Sequence, residues 1–84
     1  MKKVTIYSTR ICPYCVRAKN FFDKKAIPYE DIMVDQDPEQ LQTMVEKSQR
    51  QSVPQIFIGD YHVGGFDDLI EHDMDGKLED LLKD

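Results

Sequence analysis

The only two cysteines in the chain, Cys12 and Cys15, stand two residues apart in Cys12-Pro13-Tyr14-Cys15, between the apolar run Val4-Thr5-Ile6-Tyr7 and an amphipathic stretch. A bridge across so short a loop adds little stability, because the chain-entropy effect grows with loop length. The chain therefore has no long-range disulfide staple. Its 84 residues must be held by packing, which implies one domain, residues 1–84, with one small core. The thiols are better placed for chemistry than for holding the fold. Strand, cysteine pair at a helix start, then a βαβ continuation is the context of a redox dithiol. Two thiolates at this spacing could also fill two corners of a zinc tetrahedron. The other corners would fall to His62 and His72, the only histidines, and no second cysteine pair exists, so the redox reading is preferred and no metal is expected.

Composition narrows the function classes. A hydrophobic fraction of 40% with 32% charged residues suits a soluble globular protein. No apolar run approaches the ~20 residues that span a bilayer, so no membrane partner is expected. Met1-Lys2-Lys3 leads into only a short apolar stretch, unlike a secretory signal, and a cytoplasmic address with resting reduced thiols is expected. A net charge of −5, with eleven scattered Lys and Arg, argues against nucleic acid. Asp67, Asp68, Glu71, Asp73, Asp75, Glu79, Asp80 and Asp84 crowd the last third, most simply as a solvated helical face to which the first two are candidate exceptions.

Local patterns supply the element order. Val4–Tyr7 is β-branched and aromatic, the signature of a strand buried inside a sheet. Cys15, Ala18 and Phe22 recur at helical spacing, which buries Cys15 and leaves Cys12 at the helix start; Ile27-Pro28 ends this helix. Residues 29–34 read as a second strand. Asp37-Pro38-Glu39-Gln40 is a helix start, with Asp37 as N-cap and Gln40 placed to close a capping box. Leu41, Met44, Val45 and Ser48 mark that helix's inner face. Gln55-Ile56-Phe57-Ile58, the turn Gly59-Asp60 and Tyr61-His62-Val63 form an antiparallel hairpin. Gly64-Gly65 permits a sharp turn, Asp67 or its neighbour caps a further helix, and Leu78, Leu81 and Leu82 mark a last short one. The order βαβαββα plus a terminal helix predicts an α/β fold, a mixed four-stranded sheet flanked by helices on both faces, with its first two strands parallel.

This order, the length, Cys12-Pro13-Tyr14-Cys15, Ser52-Val53-Pro54 and Gly64-Gly65-Phe66-Asp67-Asp68 together closely resemble the bacterial dithiol glutaredoxins over essentially the whole chain. The resemblance implies a thioredoxin-like fold and a glutathione-dependent thiol–disulfide oxidoreductase. It implies no bound cofactor, glutathione serving as co-substrate. Glutathionylated or disulfide-containing proteins are the implied partners, and a monomer is expected.

Only a thiolate attacks a disulfide, and a helix start favours that form. Cys12 is therefore the expected nucleophile and the buried Cys15 the resolving thiol. By resemblance, glutathione lies extended against Ser52-Val53-Pro54, with a cis bond before Pro54 exposing the Val53 backbone for β-type pairing. Gly65, Phe66, Asp67 and Asp68 match the anchor for its γ-glutamyl end, where helix N–H groups suit the carboxylate and an Asp suits the ammonium. Tyr14 matches a side wall of the groove.

One position departs from the family pattern. Many glutaredoxins carry a cation three residues before the first cysteine, where it attracts the glycine carboxylate, but this chain has Thr9 there: either Arg10 substitutes by reaching around, or glutathione binds more weakly, with Lys47 and Arg50 as further candidate cations. His62 reads as a strand-edge residue and His72 as a helix-end residue, neither with an evident partner. Two other activities compete with this one: iron–sulfur carriage, which the crowding by Pro13 and Tyr14 disfavours, and recharging by thioredoxin reductase, which the apparent glutathione anchor disfavours.

Overall fold

Strand β1 (Val4–Ser8) and strand β3 (Gln55–Ile58) occupy the middle of the sheet, which is why both are almost continuously buried. The computed structural model describes residues 1–84. Between these strands lie α1 (Pro13–Lys24), β2 (Glu30–Met33) and α2 (Pro38–Ser48); β4 (Tyr61–Gly64), α3 (Phe66–Met74) and α4 (Lys77–Leu82) follow. The sheet order is β2-β1-β3-β4, with β1 parallel to β2 and the other pairs antiparallel. The expected architecture is the one found.

Alternation along the central strands divides the interior into two layers. Val4, Ile6, Ile56 and Ile58 face Ala18 and Phe22 of α1, Leu69 of α3, and Leu78 and Leu82 of α4. Tyr7 and Phe57 project to the other face, where they pack with Val34 and Met44. The Tyr7 and Phe57 rings meet edge to face, 5.8 Å between centroids. Burying Phe22 completely is worth several kcal/mol, since removing such a ring from a core costs about 3–5 kcal/mol.

Element ends refine the sequence reading. Helix α1 stops at Lys24, before Ile27-Pro28, because Ala26 turns left-handed at φ 57° while the Ile27 N–H returns to the Phe22 carbonyl. The second strand is the shorter span Glu30–Met33, the length of its ladder from Thr5↔Glu30 to Ser8↔Met33. Asp37 caps α2, its carboxylate accepting the N–H groups of Glu39 (3.1 Å) and Gln40 (3.4 Å). The Gln40 side chain does not return a bond, so the capping box is half made. Leu41, assigned to the inner face, is instead exposed, whereas Met44 and Ser48 are buried.

Candidate active site

The path from β1 to α1 sets the nucleophile. Cys12 is the N-cap of α1 in extended conformation, and Pro13 occupies the first turn, where its missing N–H leaves no helix bond unmade. The Cys15 N–H points at Cys12 Sγ, 3.1 Å away, and the first turn holds no acidic side chain to oppose a thiolate. Cys15 is fully buried and Cys12 half-buried. The two sulfurs are paired as a disulfide, their Cα atoms 5.2 Å apart.

Opposite the cysteines runs the turn before β3. The Val53–Pro54 bond is cis, and Cys12 Sγ lies 3.8 Å from the Val53 carbonyl oxygen. From this point a groove of about 320 Å³ opens along Ser52, Val53 and Pro54 toward Gly65, Phe66, Asp67 and Asp68, with Tyr14 and Arg50 on its walls. Tyr14 leans toward Phe66 (centroids 6.2 Å apart) beneath the Arg17 guanidinium (5.1 Å). The structure thus brings together every expected site residue except Arg10.

Arg10 is engaged elsewhere. Its Nε donates to Asp35 Oδ2 at 3.1 Å, and its backbone N–H reaches the same oxygen. Burial works against the Asp35 carboxylate, but the Arg10 hydrogen bonds and charge prevail and hold it below the usual carboxyl range. Lys47 borders a different cleft, with Thr5, Tyr7 and Asp60. Of the three candidate cations, Arg50 is the one in the groove.

Asp68 organises the far end. Its Oδ2 accepts the Gly65 N–H at 2.9 Å and the Arg50 guanidinium at 2.9 Å. These two bonds, the Gly65 one foremost, hold its carboxyl below the usual range. The N-cap of α3 is therefore Gly65, not Asp67, and Asp68 reaches back to satisfy it. Asp67 is exposed on the groove's rim with no side-chain bond, so its carboxylate is unencumbered.

Both histidines have partners that sequence did not reveal. His72 Nδ1 lies 2.6 Å from the Asp68 carbonyl oxygen and its Nε2 lies 3.0 Å from Tyr61 Oη. His62 Nε2 lies 2.7 Å from Oε1 of the fully buried Gln55, whose amide nitrogen reaches Ser52. The signal available in sequence was Gln55 itself, a polar residue opening an otherwise apolar buried strand. The donor set for zinc is not assembled: no three His, Cys, Asp or Glu side chains converge as a metal site requires.

A parallel β1–β2 pair, an antiparallel hairpin, a cysteine pair at a helix start and a cis proline facing it define a dithiol oxidoreductase of thioredoxin-like fold. The glutaredoxin family model matches residues 4–63, and the chain belongs to the glutaredoxin family. It is a glutathione-dependent thiol–disulfide oxidoreductase. A glutaredoxin of Pseudomonas aeruginosa is 44% identical over 82 residues, covering 98% of each chain. Glutaredoxin 3 of Escherichia coli K12 is 41% identical over 83 residues, covering 99% of this chain and all of its own. Among solved structures, the glutaredoxin of Brucella melitensis superposes with a TM-score of 0.85 at 46% identity, covering 99% of this chain and 90% of that one. A buckwheat glutaredoxin–glutathione complex superposes at 0.85 with 33% identity, covering 94% and 74% respectively. No helix is long and apolar enough to cross a membrane.

Proposed function

We propose that Cys12 attacks, Cys15 resolves, and the groove from Val53 to Asp68 holds glutathione. The observation that carries this reading is the distance of 3.8 Å from Cys12 Sγ to the Val53 carbonyl, at the head of a groove that ends on Asp68 and Gly65. A tripeptide laid beside Val53 pairs its backbone there and presents its sulfur to Cys12. The buckwheat relative was solved with glutathione, which supports the same ligand for this chain. The γ-glutamyl carboxylate meets N–H groups at the start of α3, and its ammonium meets the unencumbered Asp67 beside Asp68. Arg50, rather than Arg10, is the cation in reach of the bound peptide.

The chemistry is sulfur exchange. The Cys12 thiolate attacks the glutathione sulfur of a glutathionylated protein, forming a Cys12–glutathione disulfide and expelling the protein thiolate, which takes a proton from water. A second glutathione thiolate then attacks the bound glutathione sulfur, releasing oxidised glutathione and regenerating the Cys12 thiolate. With a protein disulfide, Cys12 forms a mixed disulfide with the protein. Cys15 loses its proton and attacks Cys12 Sγ, freeing the protein as a dithiol and leaving the Cys12–Cys15 bond. Two glutathiones reduce that bond in turn. Glutathione leaves oxidised and is thus a co-substrate, with no resident cofactor, and the partners are glutathionylated and disulfide-bearing proteins on which the chain acts as a monomer.

The anchor residues Gly65 and Asp68 and the crowding of Cys12 by Pro13 and Tyr14 favour this reading over recharging by thioredoxin reductase and over cluster carriage. The test is turnover of a glutathionylated peptide with glutathione, glutathione reductase and NADPH. NADPH oxidation that saturates with glutathione is expected. Reduction supported by thioredoxin reductase and not by glutathione would overturn the reading.

A further inference from the structure

We propose that His62 and Gln55 are positioning residues for this exchange, a donor chain from the half-buried His62 of β4 through the buried Gln55 of β3 that fixes the Ser52-Val53 turn. The inference rests on the reading that this turn receives glutathione. Gln55 is fully buried, and its amide nitrogen lies 3.0 Å from the Ser52 carbonyl oxygen and 3.2 Å from Ser52 Oγ. A carbonyl oxygen only accepts, so the NH₂ side of the amide must face Ser52. That turns Oε1, again only an acceptor, toward His62 Nε2 at 2.7 Å, and this ring nitrogen must carry a proton.

The ring has little freedom to do otherwise. It stacks on Phe57, 4.8 Å between centroids at an interplanar angle of 27°, on the neighbouring strand. Arg50 and Asp68 are the charged groups that bear on it, and burial lowers its affinity for a second proton. Neutral or charged, the Nε2–H is retained.

The consequence reaches the groove. With its carbonyl and hydroxyl oxygens both accepting from Gln55, Ser52 keeps its own hydroxyl proton free to donate, and Ser52 lines the groove beside Val53. Without the His62 donor, the buried Gln55 Oε1 is left unsatisfied, a situation that costs about 1–3 kcal/mol. Rotation of the amide would relieve it only by setting that oxygen against the Ser52 carbonyl. Either outcome loosens the turn on which the glutathionyl group pairs, while leaving Cys12 and its helix start unchanged.

The test compares His62→Leu, which removes the donor, with His62→Gln, whose amide nitrogen can replace Nε2. Steady-state KM for a glutathionylated peptide and kcat, at saturating glutathione, are measured beside thermal melting and iodoacetamide alkylation of reduced Cys12, which needs no groove. His62→Leu should raise KM by several-fold to about tenfold with kcat and alkylation nearly unchanged, and His62→Gln should restore KM. An unchanged KM in His62→Leu, or an equal rise in both variants, overturns the proposal. Wild-type NMR provides a check that needs no variant: the Gln55 carboxamide protons should exchange slowly and shift when glutathione is added, and exchange at the rate of a free amide overturns it. If the wild type fails to saturate with the glutathionylated peptide at all, the underlying assignment of the groove falls; saturation with a KM indifferent to His62 removes only the positioning role.

Discussion

Gly64→Ala should be disproportionately costly for a one-methyl change. Gly64 holds φ at +116°, a conformation that strains an L-residue by about 1–3 kcal/mol. A Cβ placed there would fall 2.7 Å from Asp68 Cγ and 2.9 Å from Asp68 Cβ, far inside van der Waals contact, and would also strike the carboxylate oxygen itself. That carboxylate is the one holding the Gly65 N–H at the start of α3. Displacing it forfeits a helix cap, worth about 0.5–2 kcal/mol. The exposed Arg50 pair adds little to this sum. A total of about 2–4 kcal/mol follows, or roughly 10–25 °C in Tm for a domain of this size. The assay is thermal melting of four proteins: wild type, Gly64→Ala, Asp68→Gly and the double variant. Asp68→Gly removes all the clashing atoms, so the double variant should be more stable than the two single losses added together, by about 1–2 kcal/mol. KM for a glutathionylated peptide should rise in Gly64→Ala, because the γ-glutamyl anchor moves with Asp68. A Gly64→Ala protein melting within ~3 °C of wild type, the range of an inert surface change, or purely additive losses, would refute the steric reasoning.

Three further outcomes are expected. Cys12→Ser should abolish all turnover, while Cys15→Ser should keep reduction of glutathionylated peptide and lose dithiol reduction of protein disulfides; assaying both variants on both substrates decides it, and equal losses on the glutathionylated peptide would reverse the assignment. Arg50→Ala should raise KM for a glutathionylated peptide several-fold, an exposed charged contact being worth up to about 1 kcal/mol, whereas Arg10→Ala, whose guanidinium is held by Asp35, should change it less than twofold on the same energy scale. Asp68 has its carboxyl lowered by the fold, so it contributes stability above its unfolded value of about 3.9 and loses it as pH falls through the folded value. The Tm gap between wild type and Asp68→Asn should therefore be widest near neutrality and narrow below about pH 4; a gap that widens in acid would contradict the sign.

Where function could be read from sequence, the determinants were local. β1 and β3 declared themselves because central strands are buried on both faces, and Asp37-Pro38 marked the start of α2 through chemistry confined to four residues. The hairpin turn at Gly59-Asp60 and the placing of Cys12 before Cys15 were legible for the same reason. The misplacements involve partners distant in sequence. Arg10 is drawn from the groove by Asp35, 25 residues away, and Arg50 is drawn into it by Asp68, 18 residues away. No local pattern encodes either choice. The cap of α3 escaped because an acid at 67 or 68 fits a helix start equally well as the cap or as the residue reaching back to it. The partner of His62 is not legible locally because Gln55 lies across the hairpin, where only the bulged register between Ile56 and Phe57 sets which side chains meet.

The most direct measurement of the central claim is peptide mapping of reduced Cys15→Ser after incubation with oxidised glutathione. With the resolving thiol absent, the exchange should stop at its first step: one glutathionyl group on Cys12, one glutathione thiol released per protein, and the adduct removed by added glutathione. A protein that stays unmodified, or a Cys12→Ser variant that instead takes up glutathione rapidly on Cys15, would contradict an account in which Cys12 at the start of α1 is the attacking sulfur.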